Sequence, residues 1–417
     1  MYHHDVQTLP AASEVVVIGG GAVGLSAAYV LAQRGVETVV LERNQVGSGA
    51  SAGTACMITP SHADRTASPA ALKDGLRFLL DPKAPLKLRP KPSELAWVAR
   101  FTAASLSEQR AEEGTRLLRD LAIRSTELHC EWSERLGTGL EMNGTLNLWS
   151  GPDAAAKRAV VVAEARRAGL EIEELDAAQI AELEPSVRRA THGALATGDG
   201  HVDSLRFSEC VAEGVRTEGG TIIEEIEVLH IDRSGPQILL TTTRGAISCE
   251  RVVVAAGAWT RRFAADVGTA LPITPAKGYH VEFAGAVSDA RRPIYFTEAH
   301  CVATPLNGRI RIAGTLEIGT DPDSIDMRRV DALHEAGQRN LTGVPDERSS
   351  IWMGQRPLSA DSMPLIGPLP GDPRVIIASG HGTLGITLAP VTGELVADHI
   401  TGDADATDPL LDPSRFR

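Results

Sequence analysis

Residues 14–43 read EVVVIGGGAVGLSAAYVLAQRGVETVVLER. Val15 to Ile18 form a short apolar run of β-branched residues, the pattern of a strand buried on both faces of a parallel sheet. The glycines that follow fit G-x-G-x-x-G and lead into apolar residues at helical spacing, after which a second apolar run ends at Glu42. This order of strand, glycine turn, helix, strand and acid predicts a β-α-β unit that binds a dinucleotide.

The glycines of this pattern have separate physical roles. Gly19 permits the tight turn out of the strand, Gly21 lets a pyrophosphate approach the backbone, and Gly24 lets the helix pack closely against the sheet. Free N–H groups and the dipole at the helix start would hold the phosphates. Glu42 then stands where a carboxylate accepts hydrogen bonds from the ribose hydroxyls of an adenosine.

Composition narrows the class of protein. A chain of 417 residues with 43% hydrophobic residues can bury a large core and is expected to divide into two or three domains. The net charge of −13 argues against nucleic acid as a partner, because proteins that bind phosphate backbones normally carry a basic surplus. The scattered cysteines form no C-x-x-C, which predicts reduced thiols and neither a disulfide framework nor a metal site: Cys56, Cys130, Cys210, Cys249 and Cys301.

The sequence shows no targeting signal. No apolar run approaches the roughly 20 residues that span a bilayer. The start of the chain, Met1 to Asp5, lacks a basic region followed by an apolar core. We therefore expect a cytoplasmic location, with peripheral contact at the inner membrane left open.

Two further segments bear on the cofactor. Residues 47–54 are small and closely follow Glu42, so they form either a flexible loop or a backbone that runs beside an extended cofactor, and their position favours the second. Ser48 and Ser51 would then offer hydroxyls. Gly257 ends an apolar, strand-like run and is either a second point of backbone approach or a simple strand-to-turn glycine.

The last part of the chain repeats the order of strand, glycine turn and helix. Val375 to Ala378 are apolar, 379–385 reads SGHGTLG, and a helical pattern follows. Such a turn creates a second helix start that faces an anion. We therefore expect one extended cofactor that is reached from both ends of the chain.

With these motifs the sequence resembles the FAD-dependent amine oxidoreductases of the D-amino acid dehydrogenase, glycine oxidase and sarcosine oxidase group. The resemblance covers nearly the whole chain and rests on 17–24 with Glu42-Arg43, 47–51, 353–367 and 379–385. It is nearest to bacterial D-amino acid dehydrogenases, including those that act on D-proline and hydroxy-D-proline, through KGY at 277–279 and the GHGTLG turn.

The resemblance implies an α/β protein with a Rossmann-like FAD-binding domain and an α+β substrate domain that carries an antiparallel sheet. The alternating pattern of 277–317, with a hairpin signal at Asn307-Gly308, agrees with such a sheet. We expect a discontinuous FAD-binding domain of residues 1–88, 145–265 and 345–417. The substrate-binding domain would then comprise 89–144 and 266–344.

The resemblance also implies roles for individual residues. Arg356 would face the substrate carboxylate, Tyr279 would cover the substrate, and His381 would belong to the turn that meets the flavin ring. Lys277 shares a sheet face with Tyr279 and is expected to be solvated. The implied FAD contacts are Gly19, Gly21, Ala22, Val23, Gly24, Glu42, Arg43, Ser48, Ala50, Ser51, Gly257, Gly382, Thr383, Leu384, Gly385 and Thr387.

The implied reaction is hydride transfer from the α-carbon of a D-amino acid, of the D-proline or hydroxy-D-proline type among others, to FAD. The FAD is expected to be non-covalent, because Gly354 stands where some sarcosine oxidases attach flavin through a cysteine. A quinone or respiratory-chain component is the expected electron acceptor. Two alternatives remain open: a glycine or sarcosine oxidase that uses oxygen, and an electron-transferring flavoprotein subunit. The oligomeric state is left open.

Overall fold

The structure is a computed structural model that describes residues 8–69, 72–73, 86–285, 290–321, 323–403 and 407–416. The prediction that no secretory signal is present rests on Met1 to Asp5, and these residues lie outside the described part. Within the described part, no helix is both long and apolar enough to cross a bilayer.

The first sheet has parallel strands at its centre and contains the motif strand. Val15, Val16 and Val17 of β1 are fully buried, as predicted for a strand covered on both faces. On one side β1 pairs in parallel with β2, and on the other side with β12. Within the described residues the strands of this sheet are β1 Ala12–Ile18, β2 Thr38–Leu41, β9 Thr221–Ile223, β10 Val228–Asp232, β11 Ile238–Thr242, β12 Gly245–Val254, β18 Leu365–Leu369 and β19 Asp372–Ser379.

The carboxyl-terminal strand β19 completes this sheet beside the motif. It pairs in parallel with β12, with Val375 opposite Val252. Since β12 also pairs with β1, the glycine turns after β1 and after β19 emerge at the same edge of the sheet. The two ends of the chain therefore meet at one site.

The second sheet is mainly antiparallel. The hairpin predicted at Asn307-Gly308 is confirmed, because these residues alone connect β15 to β16. Within the described residues its strands are β4 Leu86–Leu88, β5 Thr145–Trp149, β6 Ile172–Asp176, β7 His192–Ala196, β13 Ile273–Ala284, β14 Ile294–Phe296, β15 Cys301–Leu306, β16 Arg309–Ile318 and β17 Ser350–Ser359. A small separate pair joins β3 Met57–Ile58 to β8 Gly200–His201.

Helices cover the first sheet. The motif helix packs against the last helix of the chain, and the long helix Glu108–Leu136 joins the same core through Leu118 and Trp132. Ser107 caps the start of that long helix, and Gly137 ends it with a φ of 70°. The α-helices described are α1 Ala22–Gln33, α2 Leu95–Ala104, α3 Glu108–Leu136, α4 Ala154–Arg167, α5 Ala177–Leu183, α6 Ser204–Thr217, α7 Ala264–Val267, α8 Met327–Asn340 and α9 Ala389–Thr401.

The sheets divide the chain differently from the predicted domains. Strands β5, β6 and β7 were expected in the FAD-binding domain, yet they extend the second sheet through pairing of β5 with β14. Strand β17 was also expected in the FAD-binding domain and instead pairs with β13. Helix α3 was expected in the substrate domain and packs with the first sheet's helices. Local alternation identifies a strand but carries no information about its distant partner.

Candidate active site

A cavity of about 850 Å³ lies between the two sheets. Its wall includes the glycine turn after β1, the end of β2, the turn after β19, and the face of the second sheet around β17. The volume falls within the roughly 300–1,000 Å³ typical of ligand pockets. Most of the residues predicted to contact the cofactor therefore line one cavity.

The turn after β1 has the geometry that its glycines predict. Gly19 has a φ of 111°, a conformation that side chains rarely adopt. A Cβ on Gly24 would overlap the carbonyl oxygen of Gly19, so the helix packs on the turn without a side chain between them. Glu42 accepts hydrogen bonds from the N–H of Gly20 at 2.7 Å and from the N–H of Asn44 at 2.9 Å. Its carboxylate is thus fixed in the cavity wall at the end of β2.

The small residues after β2 divide into two groups. Ala50 and Ser51 line the cavity, and Ser51 Oγ accepts a hydrogen bond from the N–H of Ala22 at 2.9 Å, which caps the start of α1. Ser48 does not line the cavity, because its hydroxyl turns back to donate to the carbonyl of Gln45 at 2.6 Å. The prediction that Ser48 offers its hydroxyl to the cofactor is therefore not supported by this geometry.

Arg43 lies at the cavity edge and packs on an aromatic ring. Its guanidinium carbon is 3.6 Å from the ring centroid of Trp259, a cation–π contact. Trp259 follows Gly257, which also lines the cavity. The carbonyl of Gly257 accepts a hydrogen bond from Ser379 at the end of β19, at 3.0 Å. Gly257 thus ties the central strand to the carboxyl-terminal turn.

The carboxyl-terminal turn closes the other end of the cavity. His381, Gly382 and Thr383 line it, as do Leu384, Gly385 and Thr387. Burial lowers the pKa of His381 to about 4, and its Nε2 lies 3.0 Å from Thr392 Oγ1. His381 is therefore a neutral, hydrogen-bonded part of the turn.

Helix α3 supports this turn from behind. His129 Nε2 lies 2.9 Å from the carbonyl oxygen of Ile386, and burial lowers the pKa of His129 to about 4. Thr387 donates its hydroxyl hydrogen to the carbonyl of Met57 at 3.1 Å. His129 was missed by sequence reasoning, since a histidine within an amphipathic helix carries no local signal of such a contact.

Arg356 reaches across the second sheet. It starts on β17, crosses β13 over Gly278, and donates from Nη1 to the carbonyl of Thr315 on β16 at 3.0 Å. A Cβ on Gly278 would overlap the guanidinium group. Burial lowers the pKa of Arg356 to about 10, so the group stays protonated at neutral pH. Within the described chain it forms no ion pair, and it lines the cavity.

The acceptor of that hydrogen bond belongs to a β-bulge. The pairing of β13 with β16 shifts register opposite Gly278, and Thr315 takes a φ of 65° there. A β-branched residue is an outlier in this left-handed conformation. The Thr315 hydroxyl oxygen is buried and finds no hydrogen-bond partner among the described atoms. The backbone is therefore strained at the point where its carbonyl meets Arg356.

Tyr279 and Lys277 lie on the opposite face of β13 from the cavity. Tyr279 is fully buried, and its hydroxyl donates to Glu317 at 2.9 Å. Lys277 is 3% exposed and donates to the carbonyls of Asp321 and Ser324. The expectations that Tyr279 covers the substrate and that Lys277 is solvated are therefore wrong. Both side chains turn instead toward the buried carboxylate of Glu317.

Other lining residues carried no local signal in the sequence. Trp352 fills the space above Gly53 and Gly354, where a Cβ on either glycine would overlap its ring. It stacks on His280, with ring centroids 5.2 Å apart. Further aromatic groups of the wall are His62, Trp97, Phe101 and Tyr295.

The residues present fit a flavin dinucleotide. Glycine-rich backbone stands at both ends of one cavity, and a fixed carboxylate stands at its amino-terminal end. Near the other end, the wall contains a guanidinium that has no carboxylate partner among the described residues. This combination is the one expected of a flavin-dependent oxidoreductase. Among the described residues, no cluster of three or more His, Cys, Asp or Glu side chains could hold a metal ion.

The chain belongs to the FAD dependent oxidoreductase (DAO) family, whose profile matches residues 14–399. It is 32% identical to a D-amino acid dehydrogenase of Cereibacter sphaeroides, over 94% of this chain and 92% of that protein. A D-amino acid dehydrogenase of Allorhizobium ampelinum is 30% identical over 93% of this chain and 95% of its own. Membership of this family shows that the chain is an oxidoreductase with FAD as its cofactor.

Solved structures of the same fold extend over the whole chain. Glycine oxidase from Geobacillus kaustophilus superposes with a TM-score of 0.77 at 26% identity, covering 97% of this chain and 99% of that one. L-proline dehydrogenase from P. horikoshii has a TM-score of 0.75 at 23% identity, covering 98% of each chain, and shows the fold alone.

Proposed function

We propose that the enzyme dehydrogenates D-amino acids, including cyclic ones of the D-proline or hydroxy-D-proline type. The observation that carries this proposal is the guanidinium of Arg356 in the cavity wall, which among the described residues is held by one backbone carbonyl. Its remaining N–H groups are available for a ligand. A carboxylate accepts parallel hydrogen bonds from such a fork. The curated relatives named D-amino acid dehydrogenase support the same substrate class.

The cofactor would be held by the residues that line the two ends of the cavity. When bound, FAD supplies the hydride acceptor, and the protein supplies orientation and electrostatics. At the amino-terminal end these residues are Gly19, Gly21, Ala22, Val23, Glu42, Arg43, Ala50 and Ser51, with Gly24 behind them as the packing contact of α1. At the carboxyl-terminal end they are Gly257, Gly382, Thr383, Leu384, Gly385 and Thr387.

The protein's own part in the reaction is to bind and orient the substrate. Arg356 would fix the carboxylate, which directs the α-carbon hydrogen toward the flavin position. His381 is neutral and hydrogen-bonded to Thr392, so it is a poor candidate for a general base. The substrate amine is therefore expected to bind in its neutral form. An imine from a primary amine would hydrolyse to a keto acid, whereas a cyclic imine could persist.

We propose that the FAD is bound without a covalent link. A cysteine in place of Gly354 would overlap the ring of Trp352, so this wall leaves no room for the attachment seen in some sarcosine oxidases. Cys301 does line the cavity. Burial, however, raises the pKa of its thiol to about 12, which suppresses the nucleophilic thiolate. Acid precipitation should leave the flavin in the supernatant.

We propose a quinone or another respiratory-chain component as the electron acceptor, on the strength of the dehydrogenase relatives. Such an acceptor would bring a cytoplasmic enzyme into peripheral contact with the inner membrane. Reoxidation of the reduced enzyme by air should then be slow and reoxidation by a soluble quinone fast. Rapid peroxide formation would favour the alternative of an oxygen-using glycine or sarcosine oxidase, to which the glycine oxidase structure at 26% identity lends weight.

The decisive experiment is anaerobic flavin reduction with a panel of amino acids. Pairs of D- and L-amino acids, D-proline derivatives, glycine and N-methylglycine are mixed with the FAD-loaded enzyme, and bleaching of the flavin absorbance is followed. We expect bleaching by D-amino acids and not by their L-enantiomers. Bleaching by glycine and N-methylglycine alone would support the oxidase alternative. Bleaching by none would support an electron-transferring subunit.

A further inference from the structure

Beside Arg356 the cavity wall carries a group of apolar residues that the proposed chemistry does not use. We name it the side-chain recess. Most of its residues remain partly exposed to the cavity, although leucine and phenylalanine are normally buried. Its walls are formed by Leu86, Leu88, Trp97, Phe101, Leu316 and Leu358.

The alternation of the second sheet accounts for the apolar character of this recess. Strand β4 pairs in parallel with β16, so that Leu86 lies opposite Leu316. These leucines face the cavity, and Lys87 between Leu86 and Leu88 points to the other face, where it pairs with the buried Glu317 at 3.4 Å. The charges of Lys87 and Glu317 thus lie behind the sheet, and the cavity side of β4 carries hydrocarbon.

The outer wall of the recess comes from helix α2 and is held in place. Trp97 donates its indole N–H to the carbonyl of Leu358 at 3.1 Å and is 7% exposed. Its ring stacks on Phe101, with ring centroids 5.2 Å apart and planes within 19° of parallel. The recess is therefore formed in advance rather than created by a ligand.

The recess adjoins Arg356 directly. Leu316 follows Thr315, whose carbonyl accepts the hydrogen bond from Arg356. Leu358 lies two residues beyond Arg356 on the same face of β17, a spacing of roughly 7 Å along a strand. When the carboxylate of an amino acid binds Arg356, the side chain of that amino acid would therefore reach the recess.

We propose that the side-chain recess is the specificity subsite of the enzyme. It takes the side chain of the amino acid and favours apolar aromatic or branched substrates over small and acidic ones. This inference rests on the proposed function, because it presupposes a substrate carboxylate at Arg356. An aromatic side chain gains by leaving water for this hydrocarbon surface, whereas a carboxylate would lose hydration without gaining a partner.

The test uses deaminated analogues, which bind but cannot react. The affinities of 3-phenylpropionate, propionate and succinate for the FAD-loaded enzyme are measured by isothermal titration calorimetry. They stand for phenylalanine, alanine and aspartate. We expect 3-phenylpropionate to bind at least tenfold more tightly than propionate, and succinate no more tightly than propionate. Equal affinities for 3-phenylpropionate and propionate would overturn the proposal.

Variants locate the preference in the recess. Phe101→Ala should reduce the preference for 3-phenylpropionate at least threefold, and Phe101→Leu should reduce it less. Leu88→Arg should reverse it, so that succinate binds more tightly than 3-phenylpropionate; this gain cannot arise from misfolding. Leu95→Ala is the matched control, since Leu95 belongs to the same helix but is 57% exposed and outside the cavity wall. An equal loss in Leu95→Ala would overturn the assignment.

The failure of this proposal is distinguishable from the failure of the proposed function. If D-amino acids bleach the flavin but the analogues bind with equal affinity, the recess assignment falls and the function stands. If the analogues show the tenfold preference but no amino acid bleaches the flavin, the recess binds apolar groups as proposed and the proposed dehydrogenase function is wrong.

Discussion

The guanidinium group of Arg356 rests on the backbone of Gly278, in the space where any other residue would carry its Cβ. The contact crosses from β17 to β13, and the bulge at Thr315 on the next strand supplies the hydrogen-bond acceptor. A glycine within a strand weakens the strand. Glycine at 278 is therefore explained by the space that the guanidinium of Arg356 requires.

Gly278→Ala should displace the guanidinium and weaken substrate binding. We expect KM for a D-amino acid to rise at least tenfold while FAD remains bound, because Gly278 lies away from the glycine turns. Steady-state kinetics measure KM, and the absorbance spectrum of the flavin measures the bound FAD. The matched control is Gly198→Ala, since a Cβ there meets nothing within 4 Å. A KM unchanged from the wild type would contradict the packing role of Gly278.

Arg356→Leu should raise KM about a hundredfold, since charge-assisted hydrogen bonds contribute about 1.5–3 kcal/mol each. Arg356→Lys should have a smaller effect, of about tenfold, because an ammonium keeps the charge but loses the planar fork. Both variants are expected to bind FAD. Rapid-mixing flavin reduction against substrate concentration separates binding from hydride transfer. Wild-type kinetics in Arg356→Leu would remove this residue from the site.

Thr315→Gly should stabilise the protein. The substitution relieves the strain of a β-branched residue in the left-handed conformation, and it removes a buried hydroxyl that has no partner among the described atoms. Together these effects should raise the free energy of unfolding by about 1 kcal/mol. The acceptor for Arg356 is a backbone carbonyl and survives, so KM should not change. Denaturant titration measures the gain. The control Thr241→Gly, on an exposed site of β11, should instead lose stability. A loss in Thr315→Gly as well would rule out strain at the bulge.

Gly24→Ala should damage FAD binding. The added methyl group would overlap the carbonyl oxygen of Gly19, which is backbone and cannot rotate away, so we expect a loss of about 1–3 kcal/mol of stability. The shifted turn should also lower the FAD content of the purified protein. Gly151→Ala is the control, because its Cβ would make only an ordinary contact, 3.7 Å from Glu298. Full FAD content in Gly24→Ala would argue against this packing role.

Stability should fall as the pH drops below about 6.5. Burial lowers the pKa of His129 and His381 to about 4 and that of His280 to about 3, from an ordinary value of 6.5. Between these values the unfolded state binds protons that the folded state does not, which costs at most about 1.4 kcal/mol per histidine and pH unit. Melting temperatures from pH 8 to pH 5 measure the slope.

One variant and one control test the origin of this slope. His129→Gln removes a buried titrating group and should flatten the dependence on pH. Ile123→Ala should leave it unchanged, since this exposed side chain of the same helix does not titrate. A melting temperature that stays constant from pH 7 to pH 5 would contradict the neutral buried state of these histidines.

The sequence predicts those parts of the site that depend on local conformation. The turn at Gly19 to Gly24 and the second turn at 380–385 are visible because glycine patterns beside apolar runs have few structural meanings. FAD follows from the combination of these turns, and family membership confirms it. The amino acid substrate class rests on Arg356 and stays a prediction, which the relatives named D-amino acid dehydrogenase support.

The predictions that were wrong concern residues whose position depends on partners distant in the sequence. Alternation places Lys277 and Tyr279 on one face of β13 but does not say which face. The buried Glu317 on β16 decides that question, and it turns both side chains away from the cavity. The sheet to which β5 belongs is likewise decided by β14, roughly 150 residues later.

The pairing of β19 with β12 also has a consequence for synthesis of the protein. The turn that follows β1 leaves the ribosome early, but the second glycine turn of the cavity follows β19, near residue 380. A cavity with both turns therefore forms only after β19 has been synthesised and has paired with β12. A flavin held at both turns would link the two ends of the polypeptide, so loss of cofactor should expose both ends to proteases together.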